Sequence, residues 1–247
     1  MRTERPFVMS VAGYDPSGGA GLLADIKTFE RLKVQGLGVC TAMTIQTGSQ
    51  CISLEWQPLE TILLSIDILM KNYPVKVVKI GVVKDAEFLN EVISTIKANH
   101  QETKIIWDPV LKSTSEFSFF DLNTIPQLKN VIQQIDLITP NYHEYKVLQE
   151  NHVFQVGDGS CSVLIKGGHR ENQLGTDVLI DNGKEIAIEP NDTSSDFYPK
   201  HGSGCVLSSA IAGHLAKGEN MEQACRKGKL YIEKFLTSNP TLLGFHS

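Results

Sequence analysis

No apolar stretch in this 247-residue sequence approaches the ~18 residues a membrane-spanning helix needs. The first apolar run, Phe7–Ala12, stops at Gly13 and is too short for a secretory signal core. Paired cysteines are also lacking. Cys40, Cys51, Cys161, Cys205 and Cys225 are odd in number and show no CxxC spacing, which excludes a disulfide framework and a zinc site and suits a reducing cytosol. There is no excess of positive charge: 23 Lys+Arg against 28 Asp+Glu leave a net −5. General attraction to nucleic acid or an anionic membrane is therefore excluded, while a local basic pocket is not. Neither GxGxxG nor Gly-Lys-[Ser/Thr] occurs, since the glycines at 13, 18, 19 and 21 have the wrong spacing. A nicotinamide-dependent oxidoreductase and a P-loop enzyme are disfavoured accordingly. A cytoplasmic protein with a small-molecule partner is expected, with no nucleic-acid or membrane partner.

Strand-like and helix-like segments alternate along the chain. Phe7–Ala12, Gly36–Thr44, Val77–Val83, Lys104–Trp107, Asp136–Thr139 and Ser162–Lys166 read as buried strands. Between them, helical patterns cover 21–34, 59–71, 85–100 with Asp85 as N-cap, and 142–149. Asn182-Gly183 between two apolar runs marks a hairpin, and helices over 203–216 and 221–236 end the chain. Strands apolar on both faces predict an α/β fold with a mostly parallel sheet covered by helices. No linker or repeat divides the sequence, so residues 1–247 are expected to form a single domain.

Ligands of such sheets lie beyond the carboxyl ends of the strands. Those ends carry Gly13–Gly21, Gln46, Gly81-Val82, Asp108, Asn141 and Lys166-Gly167-Gly168, a set suited to a polar molecule and a phosphate. Gly202-Ser203-Gly204-Cys205 opens a helix of small residues, so its backbone N–H groups can meet an anion. Cys205 is then either a thiol whose pKa falls at the helix start or a packed core cysteine. Asn141 and Glu144 form either a capping box or a pair that reaches a metal ion's water shell.

Together these pieces resemble the ribokinase-like superfamily, and within it the hydroxymethylpyrimidine/phosphomethylpyrimidine kinases of thiamine biosynthesis. The resemblance rests on Ala12–Gly21 with Ala24–Phe29, Thr41–Gln46, Lys79-Ile80-Gly81, Asp108-Pro109-Val110, Thr139-Pro140-Asn141 with Glu144, Lys166–His169 and His201–Cys205. It implies a three-layer αβα sandwich, a homodimer, and ATP-dependent phosphorylation of a hydroxymethylpyrimidine and of its monophosphate. A pyridoxal-type kinase and a non-catalytic relative are the alternatives. The resemblance implies that Gly13, Asp25, Gln46 and Val82 face the pyrimidine. It makes Gly202, Ser203 and Gly204 an anion hole, Cys205 the base or alcohol-orienting group, and Lys166 a phosphate-binding lysine. Asp108, Asn141, Glu144 and Lys229 would serve ATP and Mg²⁺, with Asp108 and Glu144 meeting the metal through water. Three departures stand out: Val82 replaces a usual methionine, Lys112–Phe120 lacks the usual Lys-Ser-Gly-Asp pattern, and the chain between Leu148 and Leu164 is too short for a helix.

Overall fold

Alternate residues of the central strands enter two different apolar clusters. Met9, Val11, Val78, Ile80, Ile105, Trp107 and Ile138 join one, and Val8, Val77, Ile106 and Leu137 join the other. Side chains alternate across a strand, so a sheet with this pattern has to be covered on both faces. A computed structural model describes residues 4–112, 117–154, 161–169, 175–191 and 196–247 and shows that arrangement.

In chain order the first half runs β1 (Phe7–Tyr14), α1 (Gly21–Arg31), β2 (Gln35–Gln46), β3 (Cys51–Trp56), α2 (Leu59–Asn72), β4 (Val75–Ile80), α3 (Ala86–Asn99) and β5 (Lys104–Trp107). It continues with α4 (Leu128–Val131), β6 (Leu137–Ile138), α5 (Tyr142–Glu150), β7 (Ser162–Ile165), β8 (Asp177–Asp181), β9 (Lys184–Ile188), α6 (Ser203–Ala216) and α7 (Met221–Leu236). The described strands form one sheet in the order β3-β2-β1-β4-β5-β6-β7-β8-β9. Its centre, β2 to β7, is parallel, and β3, β8 and β9 are antiparallel additions at the two edges. Buried residues of α2, α3, α4 and α5 cover one face, and those of α1, α6 and α7 cover the other. This is the expected three-layer sandwich.

The local signals were read well where both partners are close in sequence. Asp85 caps α3 by accepting from the Phe88 N–H at 2.8 Å. Asn182 and Gly183 both have positive φ, 48° and 74°, as a tight two-residue hairpin requires. Two elements went unread. β3 carries Ile52, Leu54 and Trp56 at period two, and Leu122–Gln134 coils into short 3₁₀ turns around α4. The shortened stretch between Leu148 and Leu164 falls partly outside the described residues, as does the departing stretch Lys112–Phe120. No described helix is long and apolar enough to cross a membrane.

Candidate active site at the strand ends

The parallel strands deliver their chemistry to one edge of the sheet. Gly13 near the end of β1, Gln46 at the end of β2, Gly81 and Val82 after β4, and Asp108 after β5 line a single cavity of about 320 Å³. Asn141 and Glu144 at the start of α5, Lys166 after β7, Lys229 of α7 and Gly202–Cys205 of α6 complete its wall.

The start of α6 is built for an approach of backbone to ligand. Gly202 is its N-cap in the left-handed conformation, φ 74°, and no side chain caps the N–H groups that follow. A methyl group on Gly202 would collide with the Gly19 carbonyl oxygen. Gly21, φ 56°, is excluded from carrying a side chain in the same way, by the Gly13 carbonyl oxygen. The two glycine loops are thus wedged together, and His201 Nε2 meets Asp15 Oδ2 at 2.8 Å across the seam. Asp15 also accepts from the Ser17 and Ala20 N–H groups, at 2.8 and 2.9 Å.

Beside this turn, Lys166 donates to Asp108 Oδ1 at 2.7 Å, and Thr139 and Ser208 hydroxyls reach the same carboxylate at 3.2 Å. Burial penalises the Asp108 charge, but Lys166 and Lys79 outweigh it and hold its pKa below the usual range. Glu144 is different. Burial pushes its carboxyl up to about 7, opposed by Lys166 and assisted by Asp108. Its Oε2 accepts from the Asn141 N–H at 2.8 Å, and Asn141 Oδ1 accepts from the Glu144 N–H at 2.9 Å. The capping box is therefore real, and it places Asn141 and Glu144 on the cavity wall at the same time. Lys229 reaches the cavity but is already engaged, with Asp177 Oδ2 at 3.1 Å and the Gly175 carbonyl.

Two expectations are corrected. Asp25 does not face the cavity. It is fully buried behind the wall, where Lys79 donates to both of its oxygens at 2.8 and 3.1 Å, and Ser10 and Ser209 hydroxyls at 2.5 and 2.6 Å. Lys79 is the member of that group that touches the cavity, and the interruption of an apolar strand by one lysine was the available signal. Cys205 lies on the wall as expected, but burial raises its thiol pKa where the helix start was expected to lower it. Burial pushes it up to about 11; Lys79 pulls it down, and Asp108 and Asp25 push it further up. Loss of water around the sulfur is the largest influence on it.

Among the described residues no group of three or more His, Cys, Asp or Glu could hold a metal ion. The donors present, Asp108 and Glu144, are hard oxygens already bonded to protein donors. That chemistry fits Mg²⁺ retained with its waters and substrate phosphates, and does not fit an all-protein cage.

The Glu144 carboxyl gives a pH prediction. With a pKa of about 7 folded and 4.5 as the ordinary value, it binds its proton more tightly in the folded state. Its contribution to stability is complete below about pH 4.5 and disappears as the pH rises through about 7. Melting curves in EDTA should show Glu144→Gln gaining Tm relative to the parent between pH 5 and pH 8. Parallel curves would show that Glu144 carries no such shift.

A model of the phosphomethylpyrimidine kinase family matches residues 15–246. A hydroxymethylpyrimidine/phosphomethylpyrimidine kinase of Aquifex aeolicus is 31% identical over 246 residues, 95% of each chain. One of Rhizobium meliloti is 30% identical over 247 residues, covering 93% of this chain and 90% of its own. The crystal structure of a phosphomethylpyrimidine kinase from Clostridium difficile matches with a TM-score of 0.74 at 28% identity, over 92% of this chain and 98% of that one. A pyridoxal kinase of Staphylococcus aureus, in complex with pyridoxal, matches with a TM-score of 0.80 at 20% identity, over 98% and 92%. That last likeness concerns the fold.

Proposed function

The chain belongs to the phosphomethylpyrimidine kinase family, and from that premise we propose that it transfers the γ-phosphoryl group of ATP to the hydroxymethyl oxygen of 4-amino-5-hydroxymethyl-2-methylpyrimidine, and a further phosphoryl group to the resulting monophosphate. The observation that carries this reading is the composition of one cavity. An uncapped, glycine-lined helix start and the Lys166–Asp108 pair, suited to phosphate, line the same cavity as Gly13, Gln46 and Val82, suited to the pyrimidine.

Phosphoryl transfer needs positioning and charge stabilisation more than covalent help. The N–H groups of Gly202–Gly204 and the Lys166 ammonium are placed to take up the charge that develops on the transferring phosphoryl oxygens. Asp108 holds Lys166 in place through its 2.7 Å bond. Asp108 and Glu144 would hold Mg²⁺ through water, where the ion would neutralise phosphate charge. Asn141 fixes Glu144 through the capping box, and Lys229 lines the same cavity. Cys205, protonated at neutral pH, serves to orient the alcohol through its sulfur. Gln46 presents both an amide donor and an acceptor, the complement of an aminopyrimidine edge. The acceptor oxygen attacks phosphorus, ADP leaves, and the hydroxyl proton is released. The reading takes residues 1–247 as one kinase domain, acting in the cytosol as a homodimer. The five free cysteines are consistent with a reducing compartment.

ATP turnover measured side by side on the hydroxymethylpyrimidine, its monophosphate and pyridoxal tests the proposal. The first two should be phosphorylated in preference to pyridoxal. Gln46→Leu should raise the pyrimidine KM about tenfold, because a buried polar group left unpaired costs ~1–3 kcal/mol, with the ATP KM little changed. Preference for pyridoxal, or no turnover on any acceptor, would overturn the assignment. Loss of ATP affinity in Gln46→Leu would mean that the two ends of the cavity are reversed.

A further inference from the structure

Immediately before the anion hole lies a lysine whose ammonium is held by neutral oxygens. Lys200 is 7% exposed. It donates to Asn239 Oδ1 at 2.9 Å, to the Thr241 carbonyl at 2.7 Å, and to the Asn239 carbonyl. None of these acceptors carries a charge, so the arrangement stands against the cost of burying an ammonium.

The segment it grips touches three loops of the site. The His201 N–H donates to the Leu242 carbonyl at 2.9 Å. Leu243 lies so close to Gly19 that a Cβ there would stand 2.7 Å from its Cδ2, and it closes on Gly48 in the same way at 3.2 Å. Gly19 belongs to the loop after β1, and Gly48 to the loop after β2. The segment is also tied to itself, with Asn239 Nδ2 donating to the Leu243 carbonyl at 3.0 Å. One short stretch, 239–243, therefore clasps both substrate-side loops and the turn that opens α6.

We propose that Lys200 is a positioning residue for phosphoryl transfer: through Asn239 and Thr241 it ties residues 239–243 to the start of α6 and holds the Gly202–Gly204 N–H groups in register with the Gly13–Gly21 loop. This rests on the reading of Gly202–Gly204 as the phosphate-binding turn. Donors aimed at a developing charge lose most of their effect when displaced by about 1 Å, and such a displacement costs on the order of 10²-fold in rate. Ground-state binding of ATP is spread over many contacts and is much less sensitive.

The test is Lys200→Met, which keeps the apolar stem and removes the donors, assayed beside the parent for kcat, both KM values and Tm. The expected result is a fall of about 30- to 100-fold in kcat per folded molecule, with each KM within about threefold. In Lys200→Ala, n-propylammonium should restore kcat saturably, since it returns the missing ammonium. An unchanged kcat in folded Lys200→Met, or a fall in Tm with full kcat per folded molecule and no response to the amine, overturns the proposal. Should Lys200→Met fail to fold, Leu243→Ala decides, because that side chain is half-exposed and its loss is tolerable. A severalfold drop in kcat at constant Tm supports the clasp, and parental kcat overturns it. If the parent protein turns over ATP on none of the three acceptors, the kinase reading has failed instead, and that outcome is read before any variant is made.

Discussion

Gly204→Val should leave the protein folded and lower ATP turnover by at least about 10³-fold. A Cβ at Gly204 would stand 3.1 Å from Lys166 Nζ and 3.6 Å from Asp108 Oδ2, so even one added carbon presses on the pair proposed to meet the phosphates. The two γ-carbons of valine extend beyond that point into the space a phosphate oxygen needs. Removing a single donor of an oxyanion site typically costs 10²–10³ in rate. Here the added bulk would deny the phosphate several donors at once. The fold has little reason to fail. Gly204 lies in the first turn of α6 with no positive φ, and valine is as acceptable there as glycine in intrinsic helix propensity. Circular dichroism and Tm establish folding, and kcat on the hydroxymethylpyrimidine is then measured. Near-parental turnover in a well-folded variant would mean that Gly202–Gly204 does not receive the phosphate. Gly204→Ala, which adds only the Cβ, should lose less than the valine variant.

Lys79→Met should be the most destabilising single change at the site. Lys79 and Asp25 are both fully buried and paired at 2.8 Å. Burial alone would lower the Lys79 pKa, but Asp25, with Cys205 and Asp108 behind it, holds the ammonium above its ordinary value. Methionine fills nearly the same volume but leaves Asp25 with only the Ser10 and Ser209 hydroxyls as donors. Breaking a buried pair by removing one partner typically costs ~3–5 kcal/mol, because the other charge is left uncompensated. In a chain of this length that corresponds to a fall in Tm of roughly 10 °C. Adding Asp25→Asn to Lys79→Met removes the orphaned charge and leaves an amide that accepts from one of the two serine hydroxyls and donates to the other, so it should recover much of the loss. Denaturant titration of the parent, both single variants and the double variant gives the coupling directly. A cost below about 1 kcal/mol in Lys79→Met would show that the pair contributes little to the fold.

The pyrimidine-facing role of Asp25 rested on the resemblance alone, and its buried pairing with Lys79 has no local signal. The sequence places Asp25 four residues into a helix that follows a glycine loop, which suits a ligand contact as well as it suits a core position. Its partners lie 15, 54 and 184 residues away, and nothing local announces them. The Asp15–His201 contact, 186 residues apart, escaped for the same reason. By contrast Asn141 and Glu144 are three residues apart, and their capping box was legible as a spacing. Cys205 shows the limit from another side. Its place at a helix start was evident, and the sign of its pKa shift was not. Desolvation depends on which distant segments close over the sulfur, and here it is the largest influence on the thiol.

What the sequence determined by itself was the layer order and the location of the site. Strands apolar on both faces can only be buried between helices, and in a parallel sheet so covered the loops at the carboxyl ends converge. Gly13, Gln46, Asp108, Asn141 and Lys166 were therefore placed at one edge by periodicity and punctuation alone, whereas Gly202 joined them only through the resemblance. Tertiary structure alone decided which charged groups touch the cavity and which serve the wall behind it. It decided that burial raises the Cys205 and Glu144 pKa, and it made the clasp of Lys200 on residues 239–243. Each of these is set by distance between segments remote in sequence and by the exclusion of water between them. Both quantities come into existence only when the chain has packed.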